Sequence, residues 1–183
     1  MLKYLYYREV FQEVPNEISL GISISNCQIK CNGCHSQELW EDKGIPLDVD
    51  TLRLLIDSHR GITCVCFMGS GQKDYQELNK LAAETRRSGL KTAVYLGEDT
   101  IPEELDKSCF DYIKIGHWDA TKGGLDSPTT NQKMYFLEHQ GDGTYWETCI
   151  NHKFLKTVNI YMFSFTKPSL NISLLLRLKY SPT

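Results

Sequence analysis

The sequence predicts an α/β fold built on a mostly parallel sheet. Strand-like and helix-like periodicities alternate along the chain, the pattern expected of strands connected by crossover helices. The run Ile62 to Met68 is continuously apolar and bounded by glycine, as a strand covered on both faces requires. Polar or glycine-rich turns follow several of these strands, at the sheet edge where parallel α/β proteins bind ligands.

The elements can be justified in order. Ile18 to Ile24 alternates apolar with small or polar residues at period two and reads as the first strong strand. A cysteine-rich loop follows it at once, then a short helix over Ser36 to Asp42. Pro46 and Asp48 open a second helix carrying Leu52, Leu54, Leu55 and Ile56. The Ile62–Met68 strand ends in the turn Gly69, Ser70, Gly71. A helix from about Tyr75 to Arg87 comes next, with Leu78, Leu81 and Ala82 on its apolar face and Gly89 as its stop. Lys91–Leu96 is a strand, Pro102–Leu105 a helical turn and Asp111–Ile115 a further strand. Met134–His139 and Thr144–Cys149, joined by Gln140-Gly-Asp-Gly143, read as a closing hairpin.

Composition limits the function classes. A chain of 183 residues with 41% apolar and 23% charged residues can form one globular domain with a real core. No basic flank precedes a long apolar run, so neither a signal peptide nor a membrane span is expected. A net charge of −3 without a basic stripe gives no support to nucleic-acid binding. Seven cysteines, an odd number without a secretory signal, point to a reducing cytoplasm rather than a disulfide framework. From Lys153 onward there are five basic residues and no acidic one. That shift places the functional domain over residues 1–156 and a basic, apolar tail over 157–183, outside the core.

The chemistry is concentrated in Cys27, Cys31 and Cys34, spaced C-x3-C-x2-C in a loop of Asn, Gln, Lys and Gly. Three thiolates on one short loop can wrap one inorganic cluster, but they leave it one ligand short of a four-cysteine site. An open coordination position is the mark of a reactive centre, whereas structural sites close their shell. Two other readings stay open. Cys27, Cys31, Cys34 and His35 have ligand types acceptable to zinc, although no second pair of ligands is present. Buried, inert thiols are the second reading, which suits Cys64, Cys66, Cys109 and Cys149 better than the loop cysteines.

On these residues the chain resembles the radical S-adenosylmethionine superfamily, whose hallmark is a C-x3-C-x2-C loop after the first strand. Within it, the chain is similar to the activating proteins of anaerobic ribonucleoside-triphosphate reductases. The similarity rests on Gly33-Cys34, the glycine turn after Phe67-Met68, Asp111-Tyr-Ile-Lys-Ile-Gly116, and Gly123-Gly-Leu-Asp-Ser-Pro-Thr-Thr-Asn-Gln132. It covers roughly residues 1–155. The resemblance implies a shortened β/α barrel in which Cys27, Cys31 and Cys34 hold three irons of a [4Fe–4S] cluster. S-adenosyl-L-methionine would chelate the fourth iron, with its methionine amino group received by main-chain groups of Met68, Gly69, Ser70 and Gly71. One-electron cleavage would yield a 5′-deoxyadenosyl radical that takes hydrogen from a glycine of the partner reductase, with an electron donor such as reduced flavodoxin. His35 would line the pocket. The chain departs from the family at Gly69-Ser70-Gly71-Gln72, where adjacent glycines and an acidic residue are usual. It departs again at His117-Trp118, where proline and tyrosine are. A radical enzyme acting on a small molecule, or a zinc-stabilised module that binds a protein, remain the other readings.

Overall fold

Two aspartates start the two helices. Asp48 Oδ1 accepts from the Thr51 amide at 2.8 Å at the head of α1 (Val49–Ser58), and Asp74 Oδ1 accepts from the Glu77 amide at 3.2 Å at the head of α2 (Tyr75–Arg87). Each satisfies an amide that the first helical turn leaves without a partner. Gly89, at φ +78°, ends α2 as the sequence predicts. The computed structural model describes residues 1–70 and 74–155. Gly71 and the 157–183 tail therefore lie outside the described residues.

The strands are β1 (Lys3–Val10), β2 (Ser19–Ile24), β3 (Ile45–Pro46), β4 (Cys64–Ser70), β5 (Lys91–Leu96), β6 (Tyr112–Ile115), β7 (Lys133–His139) and β8 (Tyr145–Cys149). They form one sheet in the order β3-β1-β2-β4-β5-β6-β7-β8. The parallel order expected from the sequence holds for the four central strands, β2, β4, β5 and β6. Antiparallel strands flank them on both sides, which makes the sheet mixed. The fold is α/β. The β7–β8 hairpin forms as predicted, closed by Gln140 N donating to Thr144 O at 2.7 Å.

Some elements differ from the sequence reading, and the helical turn expected at Pro102–Leu105 is present. β1 was not anticipated: its three tyrosines, arginine and glutamate follow no clean alternation, because much of the strand is only half-covered or exposed. The helix expected over Ser36–Asp42 is a single 3-10 turn, Gln37–Trp40. Pro102–Leu105 closes one turn through Leu105 N and Pro102 O, and a 3-10 turn follows at Lys107–Cys109.

The two faces of the sheet do different work. Leu20, Ile22, Phe67, Val94 and Ile113 pack with Leu52 of α1 and Leu78 and Leu81 of α2 in the main core. Each of these side chains is fully buried, and burial of one such side chain contributes about 1.5–3 kcal/mol. Alternation sends Cys64, Cys66, Ala93, Tyr112 and Met134 into a smaller cluster with Val14, Leu125 and Ile150. Register places Ser23 opposite Met68 and Tyr95 opposite Lys114. Beneath the sheet, buried Glu17 accepts from Thr63 Oγ1 at 2.7 Å and Tyr112 OH at 3.0 Å, and pairs with Lys91. Among the described residues, no helix is long and apolar enough to cross a membrane.

Candidate functional site

The cysteine loop leaves the carboxyl end of β2 and turns sharply. Asn26, Lys30 and Gly33 adopt positive φ (65°, 49° and 69°), so the loop doubles back within a few residues. Asn26 N donates to Glu41 O at 3.0 Å and Cys27 N to Leu39 O at 2.9 Å, which ties the loop to the 3-10 turn after it. All three cysteines are half-buried. Two main-chain amides point at their sulfurs: Trp118 N donates to Cys31 Sγ and Ser36 N to Cys34 Sγ, both at 3.4 Å.

Cys27, Cys31 and Cys34 line one cavity of about 600 Å³. His35, Met68 and Gly69 line it too, so six residues singled out from the sequence converge on one space. Ser70 ends β4. The cavity also takes in Gly97 after β5 and Gly116 after β6, so strand ends and loops meet as the topology predicts. Gly69 has φ +87°, and a Cβ there would stand 2.8 Å from Ile24 O and from Leu39 Cδ1. Glycine is required at that position on both counts. A larger cavity of about 860 Å³ adjoins through Glu13, Tyr95 and Gln132 and carries none of the cysteines.

Cys64 and Cys66 behave as structural thiols, whereas Cys109 is half-buried and Cys149 exposed, against the buried reading expected for it. Cys64 and Cys66 are fully buried on β4, and burial pushes the Cys64 thiol up to about 12 and the Cys66 thiol well above its ordinary value. Thiols held in that form are poor ligands and poor nucleophiles.

Several pocket residues are invisible to motif reading. Lys114 is only 7% exposed and donates to the Gly116 carbonyl at 2.6 Å, with its ammonium 5.9 Å from the centre of the Tyr95 ring. Burial pulls its pKa down to about 8, while Cys31 and the carboxylates of Asp99 and Glu98 oppose that shift. The sequence offers one signal for it, a lysine set between Ile113 and Ile115 in a strand. Trp118 meets the His35 ring edge-on, with centroids 4.8 Å apart, and its buried indole N–H has no partner among the described residues. His117 instead turns to Asp99, ring Nδ1 to Oδ1 at 2.8 Å, and its presence holds the Asp99 carboxyl below the usual carboxylate range. Asn131 and Gln132, matched to the family pattern without a role, both donate to the His117 carbonyl.

Three thiols on one loop, two of them receiving main-chain amides, form the donor set of the site. Among the described residues, no three of His, Cys, Asp and Glu are gathered to hold a single metal ion. Main-chain amides aimed at sulfur are the kind of contact that an iron–sulfur cluster would use. Compared with known proteins, the chain matches no family model, no curated protein and no solved structure.

Proposed function

We propose that the chain is a radical S-adenosylmethionine activase with a shortened barrel. In this reading Cys27, Cys31 and Cys34 hold three irons of a [4Fe–4S] cluster, and the enzyme serves an anaerobic ribonucleoside-triphosphate reductase as its glycyl-radical protein. One observation carries the reading. Three cysteines at C-x3-C-x2-C spacing leave the end of a central parallel strand and line one cavity with the ends of the neighbouring strands. The family resemblance of the segments around Lys114 and Gln132 supplies the choice of partner.

The residues have separable tasks. The three thiolates bind iron and leave one position open for the cofactor's amino and carboxylate groups. Gly69, packed too closely on Ile24 and Leu39 to carry a side chain, offers its backbone to the cavity wall, and Met68 continues that wall into β4. Lys114 brings positive charge to a site made anionic by thiolates. His35 and Trp118 close one side, which favours exclusion of water from a reactive radical. The bound cofactors supply one-electron cleavage of a sulfonium and hydrogen abstraction from a glycine Cα.

Anaerobic reconstitution with iron and sulfide tests the reading. The expected product is brown, holds about four irons per chain, and forms 5′-deoxyadenosine from S-adenosylmethionine when reduced flavodoxin is supplied. With the partner reductase present, a glycyl-radical doublet appears in electron paramagnetic resonance. A colourless protein with one tightly held zinc overturns the assignment. 5′-Deoxyadenosine without a protein radical overturns the partner alone.

A further inference from the structure

Between β6 and β7 the loop over residues 116–132 folds back on itself. Gly116, at φ +101°, lies so close to the returning limb that a Cβ would stand 2.8 Å from Gln132 Cα. Asn131 Nδ2 donates to the His117 carbonyl oxygen at 3.0 Å, and Gln132 Nε2 donates to the same oxygen at 3.4 Å. That oxygen belongs to the peptide group whose other end is the Trp118 N–H, the donor to Cys31 Sγ. A trans peptide is planar, with its C=O and N–H fixed in opposite directions. Gripping the oxygen from one side therefore aims the hydrogen at the sulfur on the other. Donors on the carbonyl also polarise the peptide group and strengthen its N–H as a donor.

We propose that Asn131 and Gln132 are positioning residues for the Cys31 ligand, acting through the His117–Trp118 peptide group to set the reduction potential of the iron centre that Cys31 holds. The inference rests on the cluster reading above and adds a role for two side chains that acts through the main chain. An N–H directed at a ligand sulfur withdraws electron density from it and makes the cluster easier to reduce. Loosening the grip moves the potential to more negative values.

The test uses the reconstituted full chain. Asn131→Leu keeps the side chain's size, removes the donor and also removes Asn131 Oδ1, which is buried without a partner. Gln132→Met removes the longer of the two bonds and serves if the first variant does not fold. Thr129→Ala lies in the same loop without a contact to His117 and is the control. Expected is full iron content with a more negative midpoint potential in Asn131→Leu, a smaller displacement in Gln132→Met, and the wild-type value in Thr129→Ala. Wild-type potential in both variants, or equal displacement in the control, overturns the clamp. Metal-free protein gives an independent reading through hydrogen exchange of the Trp118 amide. Asn131→Leu speeds that exchange if the clamp holds the peptide group, and an unchanged rate overturns it. A wild-type chain that takes up no iron instead overturns the cluster reading, with the exchange result still judging the clamp.

Discussion

Seven cysteines share one chain, and their surroundings divide them. Cys64 and Cys66 are buried on a strand with thiols that resist ionisation, and Cys109 is half-buried, with its thiol directed at Asp106. Cys27, Cys31 and Cys34 alone share a cavity, and two of them already receive amide hydrogens. Each is expected to hold a different iron, so no neighbour can replace a lost one. Cys27→Ala, Cys31→Ala and Cys34→Ala should each reduce bound iron to a small fraction of wild type and abolish 5′-deoxyadenosine formation. Cys109→Ala and Cys149→Ala should keep both within about twofold, since neither lies at the cavity. Iron analysis and product assay on the five variants check this, and loss of the cluster in Cys149→Ala would contradict the assignment of ligands.

At the scale of elements, what the sequence revealed depended on how local each signal was. The strand over Ser19–Ile24, both helices and the β7–β8 hairpin carry their own periodicity and punctuation, and were readable. So was the cysteine loop, because its three cysteines fall within eight residues. Lys114 was not, since a strand lysine shows which face it occupies only once its pairing with Tyr95 on β5 is known. The task of Asn131 and Gln132 was hidden for the same reason: their partner lies 14 or 15 residues back on the other limb of a loop. The strand β4 shows how local and distant demands meet. Its Phe67 fills the helix-side core completely, and two residues on, Gly69 must be bare. Phe67→Ala should cost about 3–5 kcal/mol of unfolding free energy. Gly69→Ala should cost at least about 1–2 kcal/mol for its backbone conformation alone, with weakened S-adenosylmethionine binding. Urea unfolding and equilibrium binding separate the two, because Phe67→Ala should leave affinity in the folded fraction near wild type.

Across the whole molecule, Glu17 is the clearest acid-sensitive link. Burial favours its neutral form, but Lys91, Thr63 and Tyr112 outweigh that cost and hold its carboxyl below the usual glutamate value. A carboxyl depressed in the folded state adds stability above its unfolded pKa, and this is lost as pH falls through the folded one. Glu17→Gln should therefore destabilise the protein by roughly 2–3 kcal/mol near pH 7. The gap from wild type should narrow as pH is lowered through and below about 4, the ordinary glutamate value. Urea unfolding of both proteins at several pH values measures it, and a constant gap would show that Glu17 acts by shape alone. The two-sided sheet has a consequence for how such a protein can change. Along β2, β4, β5 and β6, odd and even positions answer to different masters: Ile22, Phe67, Val94 and Ile113 to the helices, and Ser23, Met68, Tyr95 and Lys114 to the cavity. Adjacent codons thus encode separable traits. A library randomised at the cavity-facing positions alone could explore new ligands while leaving the helix-side core unchanged, with Met68 and Tyr95 constrained by their packing on the smaller cluster. A shift of one residue in strand pairing would scramble both at once.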